Sequence, residues 1–152
     1  MVRHQAQEKI QNVVRLFLKK VTSIPVWDQA ESIGLLRIPL YAEGWESLPF
    51  VTQIVPIWTR PGHSFYLAIH LQMFGFSAYP MVFPVVRKGT ERVRLMFHAA
   101  NTTEEVEALV SSIGVWAEEM MEIEKGGDGV RLPTAARQAF ALMTKEGLSK
   151  LA

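Results

Sequence analysis

The sequence predicts an α+β domain: a small antiparallel or mixed sheet with helices packed on one face. Three observations carry that expectation. Apolar residues from Ile10 to Val21 recur at the three-four spacing of one helical face. Residues 91–98, ERVRLMFH, alternate with the period of two of a strand. Directly after them, Asn101-Thr102-Thr103 opens a long amphipathic stretch, with Thr102 and Glu105 spaced as a capping box.

Length and composition set the bounds. A chain of 152 residues is one domain by length and can bury a stable core. With 49% hydrophobic and 20% charged residues it reads as globular rather than disordered. A formal net charge of +1 gives no bulk attraction for nucleic acid or an anionic membrane. There are no cysteines, which excludes disulfides, thiolate metal sites and a cysteine nucleophile. The N-terminal MVRHQAQEKIQ lacks an apolar signal core, and no apolar run is long enough to span a bilayer. The expectation is a cytoplasmic protein.

In chain order, residues 5–22 are expected to be helical, with Ile10, Val13, Val14, Phe17, Leu18 and Val21 on the buried stripe. Lys19 and Lys20 suit its C-terminal dipole, and Pro25 stops it. Residues 34–40 fit a short strand and 42–47 a surface loop, while Trp27 and Trp45 need a surface to pack against. Residues 51–58, VTQIVPIW, read as a strand that Pro56 pushes towards an edge or a bulge. Residues 64–74, SFYLAIHLQMF, read as a helix so apolar that more than one face should be buried, with Gly75 as its cap. A strand at 76–83 is interrupted by Pro80, and Lys88-Gly89-Thr90 is a turn. The strand at 91–98 puts Val93, Leu95 and Phe97 on one face and Arg92, Arg94, Met96 and His98 on the other. The capped helix carries Val106, Leu109, Val110, Ile113, Ala117, Met120 and Met121 on one stripe and runs to about Glu124. Lys125-Gly126-Gly127-Asp128-Gly129 breaks it, and a short helix at 134–143 follows.

Few residues carry chemistry. Gly62 and the glycines from 126 to 129 lack the strand-to-helix context of a phosphate loop. His4, His63, His70 and His98 lack metal-ligand spacing, and His70 reads as a packed histidine. Ser64 has no nucleophile-elbow pattern. Glu118, Glu119, Glu122 and Glu124 read as the solvated face of the last long helix. Arg92 and Arg94 are different, because alternation puts both on one strand face. A planar guanidinium grips a carboxylate through two parallel hydrogen bonds. The competing reading is a structural ion pair across the sheet, with Glu43 or Glu46 as partner.

From Val51 to about Glu124 the chain resembles the C-terminal small domain of the α-oxoamine synthases, pyridoxal-phosphate enzymes of fold type I. The resemblance rests on Thr52-Gln53-Ile54-Val55-Pro56-Ile57, Leu71-Gln72-Met73-Phe74-Gly75-Phe76, Phe83-Pro84-Val85-Val86-Arg87-Lys88-Gly89, Arg92-Val93-Arg94 and Ala99-Ala100-Asn101-Thr102. It implies a domain at 51–124, a connecting helix and linker at 1–50, and a tail at 125–152. It implies that Arg94 binds the substrate carboxylate and that Pro84 and Val85 line the substrate entrance. Arg92, Asn101 and Thr102 would be supporting residues. Two departures are visible: Arg87 stands where the family has proline, and Asn101 where it has histidine.

The resemblance also implies pyridoxal 5'-phosphate as the complete enzyme's cofactor, and an amino acid and an acyl thioester as its substrates. The family's Schiff-base lysine sits in a large domain. Lys9, Lys19, Lys20, Lys88, Lys125, Lys145 and Lys150 occupy none of the required contexts. The expectation is a chain inactive alone, such as a truncated product, that joins a large pyridoxal-phosphate-binding domain, a full-length homologue or a second copy of itself. The alternatives are a non-catalytic regulatory partner of a full-length relative and a free-standing ligand-binding domain.

Overall fold

The structure is a computed structural model that describes residues 2–38, 46, 49–126 and 133–151. Among these, the chain folds as α1 (Val2–Val21), α2 (Trp27–Ser32), β1 (Leu36–Arg37), β2 (Ile54–Thr59), α3 (His63–Met73), β3 (Ala78–Met81), β4 (Arg92–Met96), α4 (Thr103–Lys125) and α5 (Thr134–Leu151). The four strands form one sheet in the order β1-β2-β4-β3, antiparallel at every pairing. The expected α+β class holds, and of the two sheet types it is the antiparallel one.

Alternation builds the layers. Val55, Ile57, Ala78, Val93 and Leu95 are buried under the helices. Their neighbours Ile54, Pro56, Trp58, Tyr79, Arg92, Arg94 and Met96 are half-buried or exposed on the opposite face. The strand predicted at 91–98 contracts to Arg92–Met96, yet Phe97 stays in the core and His98 stays out. Pro56 lies opposite Arg94, and among the described residues β1 pairs with β2 at Trp58 and Thr59.

α1 buries Val14, Phe17, Leu18 and Val21 against the same core as α4. The Phe17 and Phe97 rings meet at 5.0 Å and 45°, which ties α1 to the end of the sheet. The Gln11 carboxamide accepts from the Val51 amide at 2.7 Å and donates to the Val51 carbonyl at 2.5 Å. This two-bond grip substitutes for a strand partner where the chain enters β2.

α4 begins as expected. Thr102 and Glu105 form the full capping box. Every residue of the predicted stripe is buried, and Ser112, Trp116 and Ile123 join it. α3 ends in a Schellman motif. The Phe76 amide bonds the Leu71 carbonyl at 3.0 Å, and Gly75, at φ 86°, bonds the Gln72 carbonyl at 2.9 Å. α5 is anchored at its start by the Glu119 carboxylate, which accepts from the Thr134 amide.

Several expectations need correction. α2 was not foreseen, and it buries Trp27, whose indole donates to Glu31 at 2.9 Å. Trp27 therefore finds in the core the packing surface it was expected to need. The strand expected over 34–40 is formed at Leu36–Arg37. The loop at 42–47, including Trp45 and Glu43, lies outside the described residues apart from Glu46. α3 is buried on more than one side, as expected, by the sheet, α4 and α5, and it leaves Phe65 48% exposed and Phe74, just past its end, 61% exposed. The tail helix runs to Leu151 rather than Met143.

Exposure separates two phenylalanines as a test of this core. Phe17 is fully buried, whereas Phe140 is 68% exposed. Phe17→Ala is expected to lose about 3–5 kcal/mol in urea denaturation, and Phe140→Ala to stay within about 0.5 kcal/mol of the parent.

Candidate functional site

The open face of the sheet is organised in cross-strand rows. One row sets Pro56 of β2, Arg94 of β4 and Tyr79 of β3 side by side. The next sets Trp58, Arg92 and Met81 side by side, with Arg37 of β1 beyond Trp58. The two arginines project from the same face two residues apart, about 7 Å along the strand.

Their environments differ. The Arg92 guanidinium carbon lies 4.7 Å from the Trp58 ring centroid, and its Nε donates to the Thr90 carbonyl at 3.1 Å. Cation–π attraction and that hydrogen bond commit Arg92 to the protein. Arg94 is exposed. Among the described residues it has neither a hydrogen bond nor an ion pair, and the ion pairs formed there are Lys20–Glu107 and Arg60–Glu124. Glu46, one partner weighed for it, is exposed and not paired with it. Arg94 therefore offers its five donors outward.

The other expected site residues sit at the two ends of β4. Pro84 and Val85 lie in the exposed loop between β3 and β4, after a cis Phe83–Pro84 peptide. That loop is closed by Thr90, whose amide and hydroxyl both bond the Arg87 carbonyl, at 3.1 and 2.6 Å. Lys88 sits over the Phe83 ring at 5.0 Å. At the far end, Asn101 accepts from the His98 amide at 2.6 Å and donates to Glu105 at 3.1 Å. Thr102 is occupied in the α4 cap. Sequence reasoning did not single out Trp58 or Tyr79, whose importance depends on strand register.

The same face does not fit pyridoxal phosphate. None of the four strands carries a lysine for a Schiff base or an aspartate for a pyridine nitrogen. No group of three or more histidines, aspartates or glutamates able to hold a metal occurs among the described residues. No described helix is long and apolar enough to cross a membrane.

Two histidines titrate abnormally, both away from this face. His70 is buried in α3 and its Nε2 donates to the Ser112 carbonyl at 2.9 Å. Burial lowers its pKa, against smaller raising effects of that carbonyl and of Glu119. His63 is lowered by burial and by Arg60, against Glu91.

Known proteins place the chain in context. No protein-family profile matches it. It is 46% identical over 139 residues, 91% of its length, to the aminoacyl transferase sphA of Aspergillus fumigatus. The same identity and span hold for the aminoacyl transferase sphA of Byssochlamys spectabilis. Over 54 residues, 36% of this chain and 13% of the relative, it is 41% identical to the 8-amino-7-oxononanoate synthase of Emericella nidulans. The chain spans 29% of the length of the two aminoacyl transferases. These matches support the resemblance read from the sequence, on the scale of one domain of a longer enzyme.

The lowered histidines set a pH dependence. A histidine that binds its proton more weakly when folded stabilises the fold fully above its unfolded value, about 6.5. That contribution is lost as pH falls below 6.5 towards the folded value, because the unfolded chain then binds more protons. Urea denaturation is expected to show stability falling from pH 7.5 to 5.5, with a shallower slope in His70→Gln.

Proposed function

We propose that this chain, related in sequence to the aminoacyl transferases and to 8-amino-7-oxononanoate synthase, is the C-terminal part of a pyridoxal-phosphate-dependent α-oxoamine synthase. Such an enzyme joins an amino acid to an acyl thioester, with loss of carbon dioxide and release of the thiol. The part played here is recognition, with Arg94 holding the amino acid's carboxylate. The observation that carries this reading is a guanidinium with no partner among the described residues, at the centre of an open sheet face in the Arg92-Val93-Arg94 strand of the resemblance. Arg92, fixed on Trp58, supports the site by adding positive charge without competing for the ligand. Pro84 and Val85 form its rim. Asn101 and Thr102 support it indirectly by fixing the end of β4 to α4.

Pyridoxal phosphate, when bound in a complete enzyme, supplies the electron sink for chemistry at the amino acid's α-carbon. The face around Arg94 offers no residue to hold it, so residues 1–152 alone are inactive on this reading. The rest of such an enzyme, from a large domain or a full-length homologue, would supply the cradle.

A second reading is a non-catalytic partner of a full-length relative or of a second copy. Exposed Phe65 and Met73 on α3, Phe74 just after it, and Phe140, Leu142 and Met143 on α5 favour it, since apolar surface outside the core suits association. A monodisperse monomer by light scattering, with no full-length relative recovered in a pull-down, counts against it.

Two measurements test the first reading. Mixing the purified chain with pyridoxal phosphate is expected to give no internal-aldimine absorption band. A band abolished by one lysine substitution would overturn the claim that the chain is inactive alone. Glycine titrated into labelled protein is expected to shift the Arg94 side-chain NMR signal saturably. Arg94→Ala should weaken binding about tenfold, the scale of one charge-assisted hydrogen bond.

A further inference from the structure

We propose that Tyr79 is a second ligand-binding residue of this face, its phenol donating a hydrogen bond to the carboxylate that Arg94 holds. The inference rests on the carboxylate reading of Arg94 and adds to it a residue that the strand pattern did not reveal.

The argument begins with register. Tyr79 and Arg94 are direct partners in the antiparallel β3–β4 ladder. Directly opposed residues send their side chains to the same face, with Cβ atoms about 5 Å apart. Both are exposed, Tyr79 at 51%, while their neighbours Ala78, Val93 and Leu95 point into the core. The two side chains therefore leave the sheet side by side on its open face.

The flanking positions single out Tyr79. On the other side of Arg94 the cross-strand partner is Pro56, whose side chain carries no donor. Along β4 the same-face neighbours are Met96, which has no N–H or O–H, and Arg92, which is held on Trp58 and the Thr90 carbonyl. The phenol is the uncommitted neutral donor adjacent to the guanidinium. It has no hydrogen bond among the described residues.

Chemistry gives that donor a use. A carboxylate has about four acceptor sites, and a guanidinium gripping it edge-on fills two of them. A lateral O–H donor fills a third and does not compete with the arginine. A ring beside the guanidinium also narrows the range of directions from which solvent reaches the ion pair. Tyr79 thus helps orient the acid as well as bind it.

Acetate, titrated at constant ionic strength into labelled chain and followed by NMR, tests this. Arg94 side-chain and Tyr79 ring signals are expected to shift together with one midpoint. Tyr79→Phe keeps the ring and the fold and should weaken acetate binding roughly three- to tenfold, with Arg94 still reporting binding. Arg94→Ala should move the midpoint of the Tyr79 shift to about tenfold higher acetate. Equal affinity of Tyr79→Phe and the parent, with Arg94→Ala still deficient, overturns the role of Tyr79 and leaves the Arg94 reading standing. A parent protein with no saturable shift at Arg94 overturns both.

Discussion

The antiparallel register between β2 and β4 decides which side chains reach the helices and which stay open. Ile57 lies against Val93 and Val55 against Leu95, so both strands turn these residues into the same core. The alternate pairs, Pro56 with Arg94 and Trp58 with Arg92, turn outward together. A slip of one residue in β4 would send both guanidiniums into the apolar layer and expose Val93 and Leu95. Burying two charges without partners costs several kcal/mol each, far more than neighbouring contacts return. The hydrophobic pattern that holds the sheet on its helices therefore also holds the two arginines in the open.

The rest of the molecule protects that register from both ends. Where the chain enters β2, the Gln11 carboxamide bonds both backbone groups of Val51. Where the chain leaves β4, Asn101 bonds the His98 amide and Thr102 caps α4. Phe17 against Phe97 then couples α1 to the same end of the sheet. Glu91, just before β4, accepts from the Gly62 amide at 2.8 Å and so ties the start of α3 to the strand. Each contact is modest alone, and together they leave little freedom for the pair β2–β4 to shift.

Much of this was legible in the sequence, for local reasons. The alternation around Arg94 and the Thr102–Glu105 cap are short-range patterns, and both appear in the fold as read. The stripe of α4 was legible because its period persists over many turns. What was not legible depends on distant partners. α2 has six residues, too few to show a period, and depends on packing Trp27. Among the described residues β1 is two residues long and pairs with Trp58 and Thr59. α3 is apolar on most sides, so its sequence does not say which side faces outward. Its neighbours decide that, and they leave Phe65 and Phe74 uncovered. Tyr79 could not be placed beside Arg94 without the β3–β4 register. Arg94 itself was legible as a candidate, while its freedom from an ion pair among the described residues was not.

One-sided coverage of the sheet has a consequence for how such a domain can change over time. Along β2, β3 and β4, residues buried in the core alternate with residues on the open face. A substitution at Tyr79, Arg94 or Met96 changes the chemistry of the open face and removes little from the packed layer. A substitution at Val55, Val93 or Leu95 does the reverse. Surface chemistry and folding are thus nearly independent traits on the same few strands, so the open face can drift or be re-engineered one alternate residue at a time while the scaffold stays constant.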